Sequence, residues 1–241
     1  MPVPLQEIVA VTLVPVCAAI AGGAIAVWRA PGEQLRSIIQ HFAAGVVLAA
    51  VAGELLPEIT KEHRPLGVVI GFSIGVALMI GVKMFAERLE NAGEATGKGK
   101  VGLLVAVGVD VLVDGLLIGV GFAAGARVGQ LLVIALTLEL LFLGLSVVAS
   151  LHNAGWPRGR SLLSVVGLSS LALVGASLGG YLLSGLSGLA LEIVLSFGAA
   201  ALMYLVVEEL LTEAHEVKET PLITASFFAG FVALYLLEMV G

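Results

Sequence analysis

Cysteine, charge and aromatic residues are all scarce in these 241 residues. The one cysteine, Cys17, cannot form an internal disulfide. It lies in an apolar run and reads as a small packing residue. Charged residues make up only 12% of the chain, against roughly 25% in an average soluble domain. The net charge of −6 comes with no basic tract, which leaves no surface for a nucleic-acid backbone. A nucleophile, a histidine and an acid never fall at one depth, and no zinc-protease helix motif is present, so the expectation is that the chain is not an enzyme.

Hydrophobic residues fill the space: they are 59% of the chain, and the mean hydropathy is +1.09. A helix needs about 20 mostly apolar residues to cross a bilayer. Eight runs qualify, near Leu5–Trp28, Ser37–Leu56, Pro65–Glu87, Val101–Ala124, Gly129–Leu151, Ser161–Ser184, Ser187–Leu211 and Pro221–Val240. The expected fold class is an all-α polytopic membrane protein forming one transmembrane domain over residues 1–241. The opening MPVPLQEIVA lacks a positively charged region and reads as the start of a mature span, with no cleaved signal. The longest connection is a polar, Gly-rich stretch, expected as a flexible cytoplasmic loop over about residues 88–100. Loops on the side of the termini carry three basic residues, Lys61, Arg64 and Arg127, whereas the opposite loops carry eight. A Lys/Arg excess marks the cytoplasm, so both termini are expected outside, in a cell (inner) membrane.

Phe42–Glu58 and Phe197–Glu213 match at seven of seventeen positions, including Glu54 with Glu209 and Glu58 with Glu213. The following helices match too, from Pro65 and from Pro221 onward. The two copies are offset by five spans, so they run in opposite directions. That is an inverted repeat, expected to relate helices 1–3 to helices 6–8 around a central hairpin of helices 4 and 5. Glu54 then falls near the outer mouth and Glu209 near the inner one, both suited to a cation path.

The central hairpin, Val101–Leu151, carries three acids. Asp110 and Asp114 are four residues apart, which puts them on one helix face about 6 Å from each other. Glu139 reaches a similar depth on the next helix. Each ionised acid there costs roughly 2.5–3.5 kcal/mol, and helices 4 and 5 offer no Lys, Arg or His at that depth. Either a bound cation or a proton neutralises them; in the second case Thr137 and Ser146 are candidate hydrogen-bond partners. Carboxylate oxygens are hard ligands for divalent metals, so the candidate metal ligands are Asp110, Asp114 and Glu139. Candidate pathway or exit residues are Glu54, Glu58, Glu208, Glu209, Glu213 and His215, the last in the acid-rich run VVEELLTEAHE.

With these residues in view, the chain resembles the ZIP family of divalent metal transporters. FAAGVVLAAVAGELLPE is similar to that family's second helix and FGAAALMYLVVEELLTEAHE to its seventh. The family's helix 4 pattern H-N-x-P-E-G falls on Asp110-Val111-Leu112-Val113-Asp114-Gly115, and its helix 5 pattern H-x-x-P-E on Ala135-Leu136-Thr137-Leu138-Glu139. Both motif histidines and both prolines are absent here, and a helix 6 glutamate of two-metal sites corresponds to Ser170. The resemblance implies a transporter moving zinc, iron, manganese or similar cations into the cytoplasm by alternating access. The metal would be its substrate, with no tightly bound cofactor, and the lipid bilayer its surroundings. It allows a homodimer. Loss of the imidazoles favours oxygen-preferring cations, and loss of the prolines implies more regular helices 4 and 5. The alternatives are a carrier of another substrate, a proton-coupled carrier, or a non-transporting membrane subunit.

Overall fold

The computed structural model describes residues 3–28, 32–95, 99–183, 185–215, 217–218 and 220–240. The described residues are helical apart from short turns and connections. Among the described residues, eight helices are long and apolar enough to cross a membrane. They are α1 (Leu5–Trp28), α2 (Glu33–Lys61), α3 (Pro65–Ala95), α4 (Gly99–Ala124), α5 (Ala126–Asn153), α6 (Arg158–Leu183), α7 (Gly188–Leu210) and α8 (Pro221–Val240).

Proline opens α3 and α8, at the one helical position where its missing N–H costs nothing. Gly155 terminates the turn after α5 at φ 81°, a left-handed conformation that suits glycine. There the Gly155 N–H donates to the His152 carbonyl and the Trp156 N–H to that of Leu151.

Two expectations need correction. The polar stretch starting at Glu90 is helical as far as Ala95, because α3 runs on through it. Residues 96–98, toward the end of the expected loop, lie outside the described residues, and α4 begins at Gly99. Cys17 does not pack between helices: it is exposed on the outer surface of the bundle. The periodicity of α1 places its neighbours Val16 and Ala19 inward and turns residue 17 away.

The helices form two groups of four. In one, α1 packs on α5 and α6, and α4 packs on α6; in the other, α8 packs on α2 and α3 on α7. Small residues make the first group tight. A Cβ on Gly22 would run into the Leu141 carbonyl of α5, and one on Gly115 would run into Ala172 of α6. Such backbone approaches are characteristic of helices packed without large side chains between them. Contacts climb α4 and α6 together, from Gly115 with Ala172 to Gly119 with Gly180, so these two helices run parallel. The groups meet along α3–α4 and α2–α5.

Neither α2 nor α7 is a plain α-helix. Each contains one π-helical turn, Val51–Leu55 in α2 and Leu205–Leu210 in α7. By contrast α4 and α5 are unbroken, as a hairpin without proline in its motifs should be. The connection between them is a single residue, Gly125. Val3 lies beside Gly125, and Arg127 beside Glu238, so the two chain ends lie at the same end of the bundle as this turn. We call that the near end, and the opposite one the far end.

Candidate functional site

Asp110, Asp114 and Glu139 come together at mid-height between α4 and α5. Each offers a carboxylate oxygen, and those three atoms all lie within 4.8 Å of one another. The four-residue spacing on α4 stacks the two aspartates on one face, and the tight turn at Gly125 brings α5 alongside at the matching depth. Asp114 is 0% and Glu139 3% exposed, while Asp110 is half-buried. Neither oxygen of Asp114 has a hydrogen-bond partner, and neither does Oε2 of Glu139. Buried polar atoms normally find partners, and a carboxylate can only accept. Three orphaned acceptor atoms in one cluster therefore form a place for a cation or for protons. The donor set is all oxygen and suits a hard divalent ion.

The surroundings narrow the choice of neutralising partner. Thr137 donates its hydroxyl to the Val133 carbonyl at 2.5 Å, within its own helix. Ser146 lines the adjoining cavity together with Asp110 and Glu139. Ser170 is exposed and donates to Gly167, so α6 adds no ligand from that position.

A cavity of about 340 Å³ leads from the cluster to the far end. Asp110 and Glu139 form its floor, Glu209 stands on its wall, and Lys83 and Glu87 border it. Glu209 reaches the wall from the π turn of α7, a backbone feature that recurs at functional sites.

The remaining candidates separate. Glu208, beside Glu209, forms an ion pair with Lys83 at 2.8 Å, with both side chains more than 40% exposed. His215, at the far end, packs edge-on against buried His41 with ring centroids 5.1 Å apart. The side chain of Glu213 lies outside the described residues, as does Glu216.

Glu54 and Glu58 are at the near end, around a second cavity of about 350 Å³. Glu58 accepts from Lys61 at 2.5 Å. Glu54 pairs with Arg127 at 3.3 Å, its own side chain only 13% exposed. The Arg127 guanidinium also donates to the backbone carbonyl of Glu238.

Sequence reasoning passed over two acids, one buried and one half-buried. Glu192, 1% exposed, accepts the Arg64 backbone N–H at 3.0 Å and so caps the start of α3 from α7. Glu238 stands beside Gly53 in the near-end cavity with Oε2 orphaned. Their signal was available: each is a lone acid inside an apolar span.

No family model matches the chain, and no characterised protein matches it at a significant level.

Proposed function

We propose that this chain is a multi-pass transporter of the ZIP type that carries a divalent metal cation through the Asp110–Asp114–Glu139 cluster. The observation that carries the reading is the pair of orphaned oxygens on fully buried Asp114, within a three-carboxylate cluster that adjoins a cavity lined by Glu209. Leaving such a group unsatisfied costs several kcal/mol in a buried setting, and a divalent ion would satisfy all three acids together. Eight membrane-competent helices and a belt of exposed apolar side chains, among them Leu163, Phe228 and Leu237, support insertion in a bilayer. With both chain ends outside, the far end is cytoplasmic and the cavity faces inward.

An inverted repeat gives this arrangement its logic. The π turns of α2 and α7 fall within the two matched sequence segments, since adding 155 to Val51–Leu55 gives 206–210. The pairing α1–α5 corresponds to α6–α4, and α2–α8 to α7–α3. Ala19 and Gly22 meet Gly144 and Leu141; adding 153 to the first two and subtracting 29 from the second two gives Ala172 and Gly175 meeting Gly115 and Leu112. The same subtraction turns Glu139 into Asp110. On this reading the cation sits close to the axis relating the halves, as in other inverted-repeat carriers.

The test is binding and uptake of manganese(II), iron(II) and zinc(II) by purified protein, in detergent and in proteoliposomes. Asp114→Ala should lose uptake and weaken binding by at least about a hundredfold, beyond the effect of losing an outer-shell partner. Equal binding by both proteins would sink the reading. The complete burial of Asp114 equally suits a proton carrier; transport that follows a pH gradient and ignores divalent metals would favour that.

A further inference from the structure

Arg127 occupies an unusual position. It lies in the first turn of α5, next to the single-residue turn of the central hairpin. Its side chain reaches out of the first helix group into the second: the guanidinium pairs with Glu54 on α2 at 3.3 Å and donates to the Glu238 carbonyl on α8. Gly53, Glu54 and Glu58 of α2 and Glu238 of α8 form the walls of the near-end cavity around it. Glu54 lies in the π turn of α2, the counterpart of the turn that aims Glu209 into the open far-end cavity.

We propose that Arg127 is a tethered counter-cation that closes the near end, and that opening of that end requires the guanidinium to leave Glu54 and the end of α8. This rests on the transport reading above. Three observations carry it. First, the contacts span both helix groups, so they resist any motion that parts the groups at this end. Second, the guanidinium occupies an acid-lined vestibule on the side away from the open cavity, where an incoming cation would compete with it for the same carboxylate. Third, the Glu238 carbonyl belongs to the last turn of α8, where carbonyls have no partner within the helix, so Arg127 also completes that helix end. A bond to a charged donor at a helix C-terminus is favourable on both counts. Glu209, the counterpart of Glu54, lines an open cavity, and no arginine borders that cavity among the described residues.

Two reporter cysteines test this, placed in protein carrying Cys17→Ser. Ala135→Cys sits one turn from Glu139 toward the near end, at a position that is 0% exposed. Ala106→Cys lines the far-end cavity. Labelling by a hydrophilic thiol reagent is followed in detergent, where both ends meet the reagent. Arg127→Ala should speed labelling at residue 135 by about tenfold, the population change that about 1.4 kcal/mol produces, with no rise at residue 106. The reversed pair, Glu54→Arg with Arg127→Glu, should return the rate toward that of the parent. No change at 135 overturns the proposal. A rise at both reporters marks general loosening and also overturns it. Faster labelling at 135 alone, in a protein that binds no divalent metal, would leave the gate standing and remove the metal-transport reading.

Discussion

Glu54 and Glu209 hold matching places in two helices of similar sequence, each in a π turn, yet they meet opposite conditions. Glu209 borders an open cavity that runs to the central acids. Glu54 is clamped by Arg127, and no such cavity runs from it to the central acids among the described residues. The difference teaches that the local backbone does not decide which end is open. What differs is where the cations sit: an arginine at the tip of the hairpin pairs with Glu54 itself, whereas Lys83, which borders the far-end cavity, pairs with Glu208 at the surface. On the gating proposal, two similar backbones with unlike ionic partners give one closed mouth and one open one.

The comparison is broken most severely at the point both ends share. In metal-free protein, Asp114→Asn should raise thermal stability by about 1–3 kcal/mol, because it removes a buried carboxylate whose oxygens lack partners. Metal should then no longer stabilise the protein, whereas the parent gains about 2.7 kcal/mol at a hundred times its dissociation constant. Thermal unfolding with and without manganese(II) reads both signs in one experiment, and a loss of stability in the metal-free variant would contradict the assignment of Asp114 as an uncompensated acid.

A smaller effect separates the two glutamates. Glu209→Gln should weaken metal binding by about tenfold, in keeping with loss of one supporting group. Glu54→Gln should leave binding nearly unchanged, since its carboxylate is engaged with Arg127. Calorimetric titration checks the pair, and equal losses would erase the distinction between the ends. Smallest of all, Lys83→Met should speed cation arrival by about twofold at low salt and by nothing measurable at high salt, because an exposed charge at the cavity border is screened. Stopped-flow binding at two ionic strengths is the measurement.

Much of this was legible in the chain itself. The eight helices follow from run length, and position along the hairpin alone places Asp110, Asp114 and Glu139 at one depth. The likeness of the two segments was legible from matched Phe, Glu and Pro positions, and the inverted repeat built on it belongs to the proposed function. The continuation of α3 to Ala95 was hidden because polar, Gly-containing composition suggests a loop, although Glu and Ala are good helix formers. The π turns were hidden because one extra residue leaves the apolar pattern nearly intact. The bond between Arg127 and Glu54 joins positions 73 residues apart and depends on how two helix groups meet, which no local pattern encodes. The inward placement of Glu192 and Glu238 depends in the same way on their partners across the helix interface.

The π turns carry a consequence for how such a chain changes over generations. Each holds one residue more than the α-helical ladder needs, so removing one residue from 51–55 or 205–210 restores a regular ladder instead of breaking one. It would leave the flanking helical segments in place but re-aim the residues inside the turn, turning Glu54 or Glu209 off its cavity. Single-residue deletions, normally ruinous inside a buried helix, would at these two places leave a foldable protein with one mouth rewired. A lineage could change a gate here by losing a codon.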